Sequence, residues 1–192
     1  MLSLATSRLE LRPLARRDAP RILEIVNDWP VARMLADLPH PCATDDLAHW
    51  FRRGFDEAAF SVFRQDTLIG VVTYFDDTKD TAEVGFLVGR AHWGKGYAPE
   101  AVARVIQHGF LADGVREFRS SHFLDNAPSR RVLAKLGFVP QDRCEVWCEA
   151  RQTTVASERY RLPRTALILN SPNVRPSTPR TPRMLRRLLW RL

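Results

Sequence analysis

Glu83-Val84-Gly85-Phe86-Leu87-Val88-Gly89-Arg90-Ala91-His92-Trp93-Gly94-Lys95-Gly96-Tyr97-Ala98-Pro99 is the stretch that decides the reading of this chain. It opens with an apolar run of strand composition, residues 83–88. It closes where a helix begins. Pro99 is tolerated in a first helical turn, and Val102, Val105, Ile106 and Phe110 follow at helical spacing to about Leu111. Between the two lie small residues, Gly94, Gly96 and Ala98, which let the backbone turn tightly and point its N–H groups outward. Together with the positive end of the following helix they form a cradle suited to a pyrophosphate.

Two common nucleotide loops do not fit this stretch. A Walker A loop needs Ser or Thr after Gly-Lys, and Gly94-Lys95 is followed by Gly96. A dinucleotide fingerprint needs a third glycine three residues on, where Pro99 stands, and an acid about 20 residues further on a strand. The nearest match to that acid, Glu117, comes after only one helix, and the strands before the loop read as antiparallel hairpins.

Upstream, residues 8–14 alternate, with Leu9, Leu11 and Pro13 on one side and Arg8, Glu10 and Arg12 on the other, a half-buried strand. Asp18 is placed to cap a helix with Ile22, Leu23, Ile25 and Val26 on its apolar side. Residues 29–43 hold Pro30, Pro39 and Pro41 and read as a broken connector. Thr44 then caps a second helix carrying Leu47, Trp50, Phe51 and Phe55. Strands at 59–64, 68–75 and 81–88 follow, separated by the turns 65–67 and 76–80. Downstream, 117–124 is a strand and 128–136 a short helix stopped by Gly137. Three late strands are expected, at 138–139, 145–151 and 156–162. There are no internal repeats.

Composition narrows the function. The chain has 192 residues, enough for one domain with a substantial core, and a formal charge of +7. Seven of its 29 basic residues lie beyond residue 162, where there is no acid, so residues 1–162 carry 22 of each sign. A neutral body argues against a nucleic-acid-binding domain, which needs a basic face. No apolar run has the length of a membrane span, and the start lacks a signal-peptide pattern, so a cytoplasmic location is expected. Cys144 and Cys148 are four apart, but no second Cys/His pair supports a metal site. Residues 163–192 read as a Pro- and Arg-rich tail, disordered except for a short amphipathic end at 184–192. That end could touch nucleic acid or an anionic membrane, or could simply be solvated.

The segment W-G-K-G-Y-A-P-E-A, preceded by A-E-V-G-F-L-V and followed by N-A-P-S-R-R-V-L-A-K-L-G-F, resembles the paired acetyl-CoA-binding motifs of the GNAT acetyltransferase superfamily. The branch most resembled is that of ribosomal-protein N-terminal-alanine acetyltransferases, over roughly residues 7–162. The resemblance implies a mixed α/β fold whose mostly antiparallel sheet is splayed between its fourth and fifth strands and flanked by helices. Acetyl-CoA would be the co-substrate, attacked directly by a primary amine within a ternary complex. The backbone of Gly94, Lys95, Gly96, Tyr97 and Ala98 would hold the pyrophosphate. Trp93 stands where the family usually has Gln or Arg. The backbone of Phe86, Leu87 and Val88 would pair with the pantetheine arm and stabilise the oxyanion. Asn126 matches the asparagine that bonds that arm, although it also suits a helix cap. Arg130 and Arg131 are placed to reach a phosphate or to be solvated.

The transfer needs a base for the amine and a proton donor for the departing thiolate. Many family members use a tyrosine four residues before the Gly of the late Leu-Gly-Phe, and Leu133 occupies that position here. Ser129 matches the serine used instead in the ribosomal-protein branch and is the candidate acid, with an ordinary helix-surface serine as the alternative. Glu83 is the candidate base, acting through water, or else a half-exposed strand glutamate. His122 is a second base candidate or a structural histidine. The acceptor is expected to be a protein N-terminus. The alternatives are a small amine such as an aminoglycoside or polyamine, or a non-catalytic acetyl-CoA-binding module. The chain is compatible with a monomer or a homodimer.

Overall fold

A single sheet organises the described residues. The computed structural model describes residues 3–54, 58–76, 78 and 80–165. Eight strands lie in the order β1-β2-β3-β4-β5-β6-β8-β7. They are β1 (Leu4–Ala5), β2 (Glu10–Pro13), β3 (Ala58–Arg64), β4 (Thr67–Asp76), β5 (Thr81–Val88), β6 (Glu117–Phe123), β7 (Val139–Cys148) and β8 (Thr153–Pro163). The helices are α1 (Ala19–Val26), α2 (Trp29–Ala32), α3 (Thr44–Gly54), α4 (Tyr97–Ala112) and α5 (Ala127–Lys135). Within this sheet the β5–β6 pair is parallel and the other pairs are antiparallel.

The parallel pair is the feature that makes the site. β5 and β6 are in register only at Thr81–Glu117, Ala82–Phe118 and Glu83–Arg119, after which they splay apart. The short edge strand β1, which pairs with Leu11 and Glu10, shifts the count, so the splay falls between the fifth and sixth strands rather than the fourth and fifth.

Each face of the sheet is covered by different helices. On one face α4 and α5 bury Val102, Val105, Ile106, Phe110 and Leu133 against Val72, Tyr74, Ala82, Val84, Phe118, Tyr160 and Leu162. At its centre Phe118, fully buried, meets Tyr74 and Phe110 edge-on, with ring centroids 5.3 and 4.9 Å apart. Gly109 lets α4 come this close: a Cβ there would lie 2.5 Å from the Phe118 ring. On the other face α1 and α3 bury Ile22, Ile25, Val26 and Leu47 against Leu68, Val71 and Leu87.

Several sequence expectations are corrected. Asp18 heads α1 without capping it; its carboxylate accepts from the Ala15 N–H (3.0 Å) and the Ser61 hydroxyl (2.7 Å), tying the chain to β3. The connector contains the one-turn α2, which Pro30 can enter because a first helical turn needs no N–H partner. The expected late strands 138–139 and 145–151 are one strand, β7, with a register shift between Pro140 and Arg143. Pro140 is tolerated because β7 is an edge strand. β8 runs one residue past the expected limit at Leu162 and ends at Pro163, and the Arg164 N–H still donates to the Arg116 carbonyl at 2.8 Å. Phe55 and residues 166–192, including the amphipathic end, lie outside the described residues, as does the side chain of Phe51.

Candidate active site

The cradle is built by backbone conformation. Gly94 (φ 73°) and Gly96 (φ 78°) adopt the left-handed region, which costs a side-chain-bearing residue about 1–2 kcal/mol. Gly96 is the residue from which α4 starts, so the helix begins at Tyr97, two residues earlier than its apolar spacing suggests. Pro99 sits in that first turn. The N–H groups of Gly94, Lys95, Gly96, Tyr97 and Ala98 have no acceptor among the described residues. Five consecutive free donors at the end of a 16-residue helix fit a pyrophosphate. A Cβ added at Gly94 would meet nothing within 4 Å, so the space in front of the loop is open.

The cradle is held from behind by residues that the motif does not contain. The Arg8 guanidinium donates to the Lys95 carbonyl (3.0 Å) and to the Glu100 carboxylate (2.7 Å), and lies 4.8 Å from the Tyr97 ring centroid. Thr6 donates to the other Glu100 oxygen at 2.5 Å. Burial opposes ionisation of Glu100, but the bonds from Thr6 and Arg8 outweigh it and hold its carboxyl below the ordinary range. Because the folded-state value is lowered, this contribution to stability is present above the ordinary carboxylate range and is lost as pH falls through it. The Lys95 ammonium turns back to the Ala91 carbonyl at 2.9 Å, so Lys95 contributes its N–H and not its charge. Nothing in the sequence marks Arg8 as a partner of a loop some ninety residues away.

A cleft of 1240 Å³ runs from this cradle through the gap between β5 and β6. Phe86, Leu87, Val88, Trp93, Gly94, Gly96, Tyr97, Ala98, Asn126, Ser129 and Glu83 all line it. Of the two arginines of α5 placed to reach a phosphate, Arg131 lines it and Arg130 does not. Strand alternation sorts the expected backbone donors. Gly89 N–H bonds Ile69 O on β4 at 2.8 Å, so Leu87, two residues before it, also turns its peptide groups to β4, where it faces Val71. Phe86 and Val88 turn theirs to the gap. The Ser120 hydroxyl already binds Val84 O (2.9 Å), and the Trp93 indole N–H binds Val88 O (2.6 Å). What remains open to a ligand along this edge is the peptide of Phe86 and the N–H of Val88. The indole of Trp93 thus fixes the end of β5, a role that the missing Gln or Arg gave no means to foresee.

Asn126 serves α5 as a cap: its Oδ1 accepts the Ser129 N–H at 3.1 Å. It is also buried and lines the cleft. Leu133 is fully buried in the α4/α5 core and offers no donor. His122 is buried, with Nδ1 2.8 Å from the Phe123 carbonyl and Nε2 3.2 Å from the Tyr160 hydroxyl.

Alternation also assigns faces. Ser129, Asn126 and His122 belong to the α4/α5 side with the cradle. Glu83 shares its side of β5 with Leu87, which packs on the α1/α3 side. The candidate base and the candidate acid therefore stand on opposite faces of the sheet, and the gap is the passage between them. The far end of the cleft is walled by the connector and the β7–β8 hairpin. Arg33 and Arg151 both bind Asp125 (2.7 and 3.0 Å), Arg151 also donates to the Arg33 carbonyl, and Glu149 N–H bonds Ala36 O.

This fold and cradle define an acyl-CoA-dependent transferase, and comparison identifies the family. Residues 8–139 match the acetyltransferase (GNAT) domain model, so the chain belongs to that family. It is 29% identical to the Bacillus licheniformis N-acetyltransferase p20 over 154 residues, covering 72% of this chain and 83% of that one. It is 30% identical to the ribosomal-protein-serine acetyltransferase of Escherichia coli over 90 residues, 46% and 50% of the respective chains. The fold matches that of spermidine N-acetyltransferase from Vibrio cholerae, solved with CoA and spermine, with a TM-score of 0.72 at 20% identity over 85% of this chain and 99% of that one. The protein is an acetyl-CoA-dependent N-acetyltransferase. No helix among the described residues is long and apolar enough to cross a membrane.

Proposed function

We propose that the protein acetylates the α-amine of a protein N-terminus. The observation that carries this is the charge of the acceptor side. Arg33, Arg119, Arg159 and Arg161 line the cleft there, and two of its carboxylates are already ion-paired to them: Glu117 to Arg119 (3.2 Å) and Arg161 (3.7 Å), and Asp142 to Arg159 (3.0 Å). Each further cation of a polyamine would have to compete with these arginines for Glu117 and Asp142. A peptide N-terminus brings one ammonium, next to Glu83, and leaves its chain to run along the wall. The E. coli relative, named for acetylating a ribosomal-protein serine, agrees in acceptor class.

In this reading Gly94 to Ala98 hold the pyrophosphate, Phe86 and Val88 hold the pantetheine arm and the acetyl oxygen, and Asn126 bonds the arm. Glu83 takes the ammonium proton through water on one face. Ser129 donates a hydrogen bond to the departing thiolate on the other. The amine thus reaches one face of the thioester carbonyl and adds to it, and the tetrahedral oxyanion so formed expels the thiolate when it collapses.

The test is free-thiol release from acetyl-CoA with short peptides beginning in Ser or Ala against spermidine. Peptides are expected to turn over at kcat/KM at least about tenfold above spermidine, which corresponds to about 1.4 kcal/mol of transition-state discrimination. Preference for spermidine overturns the acceptor assignment. With the preferred peptide, Ser129→Ala is expected to lower kcat by on the order of a hundredfold while KM for acetyl-CoA changes little. Glu83→Gln is expected to lose more activity at neutral pH than at pH 9 to 10, where the acceptor amine is already neutral. A loss that is uniform with pH assigns Glu83 a structural role.

A further inference from the structure

Beside Glu83 the acceptor face carries arginines that the acetyl transfer itself does not use. Glu83 on β5 stands beside Arg119 on β6, and Arg119 stands directly opposite Arg161 on β8. One step along the cleft, Ser121 on β6 stands opposite Arg159 on β8. The residues that alternate with these, Ala82, Val84, Phe118, Tyr160 and Leu162, are packed in the α4/α5 core. Glu83, Arg119, Arg159 and Arg161 therefore all look to the other face, the side assigned to the amine. All four line the cleft.

The cleft's own carboxylates serve these arginines unequally. Asp142 binds Arg159 at 3.0 Å, and Glu117 binds Arg119 at 3.2 Å. Arg161 lies 3.7 Å from Glu117, beyond hydrogen-bond range, so Glu117 is an ionic neighbour to it and no more. Among the described residues the Arg161 guanidinium makes no hydrogen bond. Like charges directly opposite each other on paired strands are destabilising, and Arg119 and Arg161 are such a pair. Arg159 adds a third cation two residues along β8. A planar fork of five N–H donors, held among other cations at the wall of a cleft, fits a carboxylate that binds through both oxygens.

Reach decides where on the acceptor that carboxylate lies. Neighbouring strands are about 4.8 Å apart, so the backbone of Arg161 is about 10 Å across the sheet from that of Glu83. An extended peptide advances about 3.5 Å per residue. With its amine beside Glu83, the side chain of its second or third residue comes within reach of the Arg161 fork.

We propose that Arg161, flanked by Arg159, binds the carboxylate of an Asp or Glu at the second or third position of the acceptor peptide. The substrate class is then a protein N-terminus followed closely by acid. This rests on the reading of the acceptor as a peptide and narrows it.

The experiment uses the full chain, saturating acetyl-CoA and three peptides that begin Ser-Glu-Glu, Ser-Gln-Gln and Ser-Arg-Arg and are otherwise identical. Wild-type kcat/KM for the acidic peptide is expected to exceed that for the amide peptide by at least about fivefold. The difference should lie in KM, because the contact is made equally before and during the transfer. It should shrink as salt is raised, since the pair is half exposed. Arg161→Gln should bring the ratio to about one, and Arg161→Glu should invert the order in favour of Ser-Arg-Arg. Each ratio is taken within one preparation, so a variant that folds only in part still reports it. A merely structural arginine would change all three rates alike. Equal kcat/KM for the three peptides in the wild type, or a preference for acid that survives in both Arg161 variants, overturns the proposal and leaves the peptide reading standing. Turnover of spermidine and of no peptide overturns both. If neither is turned over, fluorescence anisotropy of the same peptides on CoA-saturated protein decides: tighter binding of the acidic peptide that Arg161→Gln abolishes supports the assignment, and equal Kd values overturn it.

Discussion

Acetyl-CoA at a hundredfold its Kd is expected to stabilise the wild-type protein by about 2.7 kcal/mol, and the Gly94→Glu variant not at all. For a chain of this length, about 2.7 kcal/mol is a Tm increase of roughly 5–10 °C. The choice of position follows from local geometry. A Cβ at Gly94 meets no atom within 4 Å, so the new side chain folds into open space, and that space is the cleft. The left-handed backbone at φ 73° costs the apo variant about 1–2 kcal/mol, which it survives. The added carboxylate then lies among the N–H groups that would meet the phosphates, where it both fills the cradle and repels the ligand. Gly94→Ala separates the two effects. It carries the same backbone strain without the charge and is expected to keep part of the shift. A full shift in Gly94→Glu, read by thermal scanning with and without acetyl-CoA, means that the anion binds elsewhere.

The second large effect is on stability itself. Phe118→Ala is expected to cost about 3–5 kcal/mol. The ring is fully buried, packs edge-on against Tyr74 and Phe110, and is approached by α4 through Gly109. No neighbour can close the hole, because those two rings and the Gly109 backbone define it. Typical domains are stable by only about 5–15 kcal/mol, so this variant is close to unfolding at ordinary temperatures. The measurement is urea denaturation, with an unchanged slope and a lowered midpoint. Trp147→Ala is the control: Trp147 is 49% exposed on the edge strand, and its loss is expected to change stability by less than about 0.5 kcal/mol. Equal losses in the two variants would mean that the core is centred elsewhere.

Much of the frame was legible because it rests on local patterns. Alternation gave β2, apolar runs bounded by turns gave β4 and β5, helical spacing gave α1 and α4, and the glycines announced the cradle. Boundaries failed where tertiary context overrides local preference. Two short strands were expected at 138–139 and 145–151, and they are one edge strand in which Pro140 is harmless. Pro99 looked like a helix start, and the left-handed Gly96 moved the start to Tyr97. In the site, residues within the motif were legible as a set, but not their directions. That Leu87 turns its peptide to β4 depends on the register with Val71, which no spacing within one strand reveals. The contribution of Arg8 was illegible for the same reason. It acts across a distance in sequence that only the fold closes.

The two faces of the sheet also divide what variation can change. The donor side draws on residues 83–98 and 126–131, whose backbone conformation leaves little freedom. The acceptor wall draws on the connector and the β7–β8 hairpin, joined through Asp125, Arg33 and Arg151 and packed as a small apolar cluster of their own around Ala32, Phe123, Cys148 and Ala150. The connector also packs Val31, Leu35 and Leu38 in one apolar cluster with Leu87 of the donor side. Among the described residues the β7–β8 part of the wall makes no such contact, so it can be lengthened, shortened or recharged while the donor side keeps its packing. One scaffold can in this way be retuned from one amine to another by drift in an edge hairpin.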